Sequence, residues 1–243
     1  VSADHPPERR AAQAARQLAL GIRLRDDATF ETYRQGPNAL AVALLEGLVD
    51  GGGEPQAYLW GARGSGRTHL LQAACQRSGH HGGRATYLPL AGLRELDPAM
   101  LEGLEALDLV AIDDVDAIAG LKAWEHGLFD LINRLRSSRT RLVMAAAAAP
   151  AGAGFALPDL SSRLGWGPVF QLRPLSETDR RMVVRDAAAR RGLDLSGEAL
   201  EFLMTRSRRD LASLLALLDR LDEASLVAQR RLTIPFIRDV LEG

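Results

Sequence analysis

Residues 61–68 read Gly61-Ala62-Arg63-Gly64-Ser65-Gly66-Arg67-Thr68. The spacing is that of a phosphate-binding loop, G-x-x-x-x-G-basic-hydroxyl, with arginine at the basic position where the motif has lysine. Glycines let successive backbone N–H groups curl inward on an anion. A helix starting at the loop adds the positive end of its dipole. Thr68 is placed to offer its hydroxyl to a magnesium ion. The candidate phosphate-contacting residues are Gly61, Arg63, Gly64, Ser65, Gly66, Arg67, Thr68 and His69. Arg67 is a planar fork where lysine is a point charge. It neutralises phosphate, but a transition state tuned to lysine suffers. The competing reading is a glycine-rich turn that binds nothing.

A second stretch weighs against that turn. Asp108-Leu109-Val110-Ala111-Ile112-Asp113-Asp114 sets four apolar residues, a buried strand, before two acids at its C-terminal end. In open α/β sheets ligands bind beyond that end of the strands. Asp113 is the candidate magnesium ligand, directly or through water. Asp114 is the candidate residue for orienting or activating the attacking water.

The elements that position these residues follow from pattern. Ala57-Tyr58-Leu59-Trp60 reads as a strand, then the loop, then a helix carrying Leu70, Leu71, Ala73, Ala74 and Cys75. Further strands are expected at 85–88, 109–112, 141–145 and 169–172, with helices at 39–49, 90–107 (broken at Asp97-Pro98) and 122–136. Strands separated by helices imply a parallel sheet covered on both faces. Residues 146–154 are small and featureless. Around Arg163, Pro158 and two serines precede and Gly165 and Gly167 follow, a composition that suits an exposed turn at a domain edge. From Arg173 onward the strands stop. Ser176 can cap a helix closed by Gly192, and three more helices follow over 196–207, 210–228 and 235–241. The expected organisation is an arm at 1–26, an α/β nucleotide-binding domain at 27–172 and a helical lid at 173–243. The first 16 residues look disordered. In Gln17-Leu18-Ala19-Leu20-Gly21-Ile22, two readings stay open: an extended docking peptide for a partner's groove, or an arm packing on its own domain.

Composition bounds the class. The chain has 243 residues, 47% hydrophobic and 25% charged, as in soluble globular proteins. A net charge of −1 argues against a bulk nucleic-acid binder. Of 30 basic residues one is lysine, Lys122, which carries no functional inference. A single cysteine, Cys75, excludes an internal disulfide and fits a reducing cytosol, so a cytoplasmic location is expected. No signal peptide is expected from the polar first residues. The stretch 142–158 is too short and too weakly hydrophobic to span a membrane. His80-His81 reads as a solvated pair in a glycine-rich turn.

Phosphate-binding loop, acid-ended strand, fifth strand and helical lid together resemble the AAA+ ATPases. Thr29-Phe30, Tyr33, Gly36 and Asn38 resemble the segment ahead of the loop in the replication initiator DnaA, and Phe30, Tyr33 and Asn38 are thereby implied in cradling adenine. Leu109 to Val115, LVAIDDV, resembles the initiator's Walker B strand. Asp159 to Gly167, DLSSRLGWG, resembles the initiator segment that bears the arginine finger, which implies that role for Arg163. Arg208-Arg209-Asp210-Leu211 resembles sensor 2, which implies a nucleotide contact for Arg209. Two features point to a narrower relative. The resemblance runs to the lid at Gly243, so the initiator's helix-turn-helix domain, and sequence-specific DNA binding with it, are not expected. Gln17 to Ile22 resembles the sliding-clamp-binding peptide of the DnaA regulatory inactivator family, Hda, with Gln17, Leu18, Leu20 and Ile22 as contacts. Arg67 and the ending Leu232-Thr233-Ile234-Pro235-Phe236 resemble that family too. Two departures stand out. Ala145 to Ala148 occupy the sensor 1 region, where initiators carry polar side chains, and Ala19 and Gly21 replace more usual clamp-peptide residues.

The resemblance implies an ADP-binding (or ATP-binding), magnesium-dependent protein. It would dock on the DNA-loaded sliding clamp and meet ATP-bound DnaA, with Arg163 reaching DnaA's γ-phosphate in trans. Its own hydrolysis would be slow. A homodimer or higher oligomer is compatible with this, and no membrane partner is expected. Two other classes compete. One is an autonomous ATP-driven loader of the DnaC or transposition-helper type, which needs robust turnover and DNA binding. The other is an adaptor whose phosphate loop is a relic. Intrinsic ATPase rate and retained ADP discriminate among them.

Overall fold

The computed structural model describes residues 24–206, 211–228 and 233–242. The chain divides between Pro174 and Leu175 into two compact units.

The first unit is built on five strands, β1 (Gln56–Trp60), β2 (Ala85–Pro89), β3 (Leu109–Asp113), β4 (Arg141–Ala146) and β5 (Val169–Gln171). They are parallel throughout and ordered β2-β3-β4-β1-β5. Parallel strands need crossovers, and five α-helices lie among them: α1 (Ala39–Val49), α2 (Arg67–His80), α3 (Leu90–Leu93), α4 (Lys122–Arg136) and α5 (Pro158–Leu164). Successive strand residues point to opposite faces, so apolar strands feed two cores. Tyr58, Val110, Ile112, Leu142 and Met144 pack with Trp124, Leu128, Leu131 and Leu135 of α4 on one face. Ala57, Leu59, Ala111, Val143 and Ala145 pack with Leu45 of α1 and Leu70, Leu71 and Ala74 of α2 on the other. Cys75 of α2 is buried there, its Sγ donating to the Thr86 carbonyl at 3.5 Å. Burial pushes its thiol pKa up to about 12.

Two local expectations are corrected. Residues 90–107 are not mainly helical: α3 is a single turn, followed by 3-10 turns at Pro98–Leu101 and Leu104–Ala106. Pro98 starts the first turn, and left-handed Gly103 (φ 77) precedes the second, so no long helix forms. The stretch at 150–152 is likewise a 3-10 turn rather than featureless. The third correction, around Arg163, belongs with the site.

The second unit is helical: α6 (Glu177–Arg190), α7 (Gly197–Arg206), α8 (Leu211–Ala228) and α9 (Ile234–Glu242). Ser176 Oγ accepts from the Asp179 N–H at 3.0 Å and caps α6. Val184, Ala188, Leu203, Leu218, Leu221 and Ile237 form its core. Among the described residues no helix is long and apolar enough to cross a membrane.

Candidate functional site

Strand β1 ends at Trp60 and α2 begins at Arg67, so residues 61–66 turn at the C-terminal end of the sheet. Gly66 shows why glycine is needed there. Its φ is +94°, and an added Cβ would lie 2.5 Å from Cε2 of Tyr33. The Tyr33 hydroxyl donates to the Ser65 carbonyl at 3.2 Å and accepts from Asn38 Nδ2 at 3.0 Å. Asn38, itself buried, exchanges two hydrogen bonds with the backbone of Arg173, each 2.9 Å. Tyr33 and Asn38 therefore brace the loop from outside. Gly61 is buried, while Arg63 and Gly64 are exposed at the tip. Ser65 Oγ and Arg67 Nη1 are buried with no hydrogen-bond partner. A buried donor left unpaired costs about 1–3 kcal/mol, and an anion seated in the loop would satisfy both.

The acids of β3 meet the helix start. Thr68 Oγ1 donates to Asp113 Oδ2 at 2.6 Å, the Tyr87 hydroxyl donates to the same oxygen at 2.9 Å, and the Asp114 N–H donates to Asp113 Oδ1 at 3.0 Å. These three donors compensate a carboxylate that is only 1% exposed. A hydroxyl and a carboxylate in contact are the hard oxygen donors that suit magnesium, which keeps several waters and takes few protein ligands. Asp114 is the one non-glycine residue with positive φ among the described residues, at 49°. Its Oδ1 lies 3.5 Å from Arg67 Nη2. Burial, then the neighbouring Asp113 charge, push the Asp114 carboxyl above its ordinary range, with Arg67 opposing. Asp116 Oδ2 accepts from the Ala147 N–H at 3.1 Å, so the alanine segment after β4 offers backbone here and no polar side chain.

The remaining candidate residues are placed as follows. Phe30 is buried in the core, with the Arg77 guanidinium 5.8 Å from its ring centre. His69 turns to the segment ahead of α1: its Nε2 is 2.8 Å from the Thr29 carbonyl and its ring centre 5.4 Å from that of Tyr33. Gln17, Leu18, Leu20, Ile22 and Arg209 lie outside the described residues.

Arg163 is not on an exposed turn. It lies in α5, half-buried. Pro158 in the first turn suits a helix start, and Leu160 and Leu164, four apart, bury one face. The Arg163 guanidinium carbon is 4.0 Å from the Trp166 ring centre and 4.9 Å from that of Phe129. Its Nε is buried without a partner. Gln56, the first residue of β1, donates through Nε2 to the Arg163 carbonyl at 2.8 Å. Arg163 therefore sits at the end of β1 opposite the loop, separated by five strand residues, about 13 Å at ordinary strand rise. Gly167 closes that end: an added Cβ would lie 2.0 Å from the Gln56 carbonyl oxygen. Glu125 fixes the approach to α5. Its carboxylate, 1% exposed, accepts from the N–H groups of Gly120 (2.7 Å), Ala156 (3.0 Å) and Leu157 (2.7 Å).

Sequence reasoning missed Tyr87, Asp116, Glu125, Arg136 and Trp166. Asp116 follows the acid pair by two positions and was findable. The rest act through tertiary contacts that no local pattern announces.

Residues 177–241 match the family model described as Hda, lid domain. Domain III of the replication initiation protein DnaA from Thermotoga maritima superposes with a TM-score of 0.76 at 24% identity, covering 91% of this chain and 98% of that one. AMPPCP-bound DnaA from Aquifex aeolicus gives 0.65 at 20% identity, over 82% and 66%. A Thermotoga maritima RuvB mutant gives 0.65 at 18%, over 90% and 72%. The fold is thus that of the AAA+ proteins, a five-stranded parallel sheet followed by a helical lid. The lid sequence is thus similar to that of Hda over residues 177–241, and the fold is the one seen in DnaA and RuvB.

Proposed function

We propose that this chain is a negative regulator of replication initiation. It binds ADP, docks on the DNA-loaded sliding clamp, and stimulates ATP hydrolysis by DnaA through Arg163 supplied in trans. The observation that carries this reading is the position of Arg163. It stands at the opposite end of β1 from the loop, a position that favours a role toward a neighbour's nucleotide over one toward its own.

Backbone N–H groups of residues 64–68 and the Arg67 fork hold the phosphates, and Tyr33 and Asn38 keep the loop in shape. Thr68 and Asp113 would hold magnesium, which supplies charge neutralisation between phosphate oxygens. Arg67 leans on Asp114 at 3.5 Å, which ties down the residue best placed to orient water. Together with an alanine sensor 1 segment, this favours slow turnover in the chain's own site. Arg163 instead stabilises charge on DnaA's transferring phosphoryl group, a contribution of typically 10³- to 10⁵-fold.

The deciding experiment is a single-turnover measurement of DnaA-bound ATP, with and without this protein and the DNA-loaded clamp. Acceleration only when both are present is expected; none would overturn the reading. Gln17→Ala with Leu18→Ala should abolish clamp pull-down and leave ADP binding intact. The second reading, an autonomous loader, draws on the assembled Thr68–Asp113 pair and requires fast intrinsic turnover on DNA.

A further inference from the structure

At the Arg163 end of the sheet a second arginine repeats the contact. The Arg136 guanidinium carbon, at the C-terminus of α4, lies 4.2 Å from the Trp166 ring centre, and that of Arg163 lies 4.0 Å from it. Two cations this close to one ring centre cannot share a face, so the indole is clasped between them. Each gains from the ring's negative face, and each is held away from the other. Arg163 Nε is buried with no acceptor, and Arg136 is exposed at the end of α4. Beside them opens a cavity of about 260 Å³ walled by Trp166, Arg136, Gln56, Ser138, Thr140 and Glu54. Glu54 is the one acid on that wall, and Arg139 adds a further exposed cation in the turn after α4. Arg163 Nε is buried and unsatisfied, which costs free energy until an acceptor reaches it, and Arg136 beside it is exposed and free to meet an incoming anion.

We propose that Arg136 and Arg163, braced on opposite faces of Trp166, form one two-pronged anion-reading surface. Its occupant is the nucleotide-bearing face of ATP-loaded DnaA: Arg163 takes phosphate oxygen, and Arg136 takes a carboxylate beside it. This rests on the function proposed above. The charge logic is visible within this chain, whose own loop end gathers Asp113, Asp114 and Asp116 beside the phosphate site. A sheet end of that kind presents phosphate and carboxylate side by side, and the Arg136–Trp166–Arg163 clasp presents two cations to match. Arg136 is a partner-binding residue with no catalytic part.

The test measures the affinity of the full-length protein for ATP-loaded DnaA on clamp-bearing DNA at two salt concentrations, together with single-turnover hydrolysis at saturating protein. Arg136→Ala should weaken binding on the order of tenfold and flatten its salt dependence, as loss of an interface charge does. Arg136→Glu should weaken it further. Trp166→Phe should retain most affinity, because phenylalanine also offers a ring face, whereas Trp166→Ala should lose it. Arg163→Ala should remove the rate itself at saturation, which separates the two arginines. Unchanged ADP affinity and thermal unfolding confirm that each variant is folded. Wild-type affinity and salt slope in Arg136→Glu would overturn the inference and leave the proposed function standing. Failure of the wild-type protein to bind ATP-loaded DnaA would overturn both. An Arg136→Glu effect confined to self-association, read by sedimentation, would also overturn it and assign the surface to a second copy.

Discussion

Followed along β1, the sheet runs from Gln56, whose amide holds the backbone of Arg163, to Trp60 and the phosphate loop. The loop end is organised by backbone and acids. Its donors, Ser65 Oγ and Arg67 Nη1, lack partners, and burial, then the neighbouring Asp113 charge, push Asp114 up in pKa. The opposite end is organised by an aromatic ring and guanidinium groups, with Trp166 between Arg136 and Arg163. One end presents unpartnered donors in a glycine-rich turn; the other presents guanidinium groups packed on an aromatic ring. The contrast teaches that a parallel sheet can serve two sites, provided the strands between them are rigid. Here those strands are almost wholly buried.

The sharpest way to break the comparison is to exchange its ends. Arg163→Ala should cut stimulated DnaA hydrolysis by about 10³-fold with ADP affinity unchanged by calorimetry; lost ADP affinity would mean the ends are not separate. Arg67→Ala should do the reverse, weakening ADP by about 1.5–3 kcal/mol, the scale of a hydrogen bond to a charged group. Gly167→Ala drives a methyl into the Gln56 carbonyl and should cost about 1–3 kcal/mol of stability in denaturant unfolding. It should harm Arg163-dependent stimulation more than ADP binding. The smallest effect is Glu125→Gln, about 1 kcal/mol. Burial raises the Glu125 pKa, but three backbone N–H bonds outweigh it, so the carboxyl is lowered on balance. A lowered acid stabilises the fold above its unfolded pKa, and that contribution fades as pH falls through the folded value. The stability gap between wild type and Glu125→Gln should therefore be full at pH 7 and close below about pH 4.

Strands and loop were legible because their signals are local. The apolar runs at 57–60 and 109–112 sit between Gly-rich turns and acids, and both faces of the sheet are covered, so the runs are unbroken. The meeting of Thr68 with Asp113 followed from motif spacing. Arg163 shows where that reasoning stops. Pro158, Leu160 and Leu164 spell a helix of only 7 residues, too short for its period to outweigh the surrounding glycine and serine. Phe30 packs in the core with residues of α2, a burial that no local pattern announces. The Arg136–Trp166 and Tyr87–Asp113 contacts join residues from different elements, and no pairwise pattern along the chain encodes them.

One buried atom turns the protein into its own reporter. Cys75 is the sole cysteine of the chain, 3% exposed, with a thiol pKa near 12. Because the thiolate is the reactive form, a colourless thiol probe in the buffer should leave the folded protein unmarked. Each modification event then counts one opening of the helix behind the loop. Any molecule that seats in the loop should slow that count in proportion to its occupancy, so ligands can be ranked without a label, an enzyme assay or a partner.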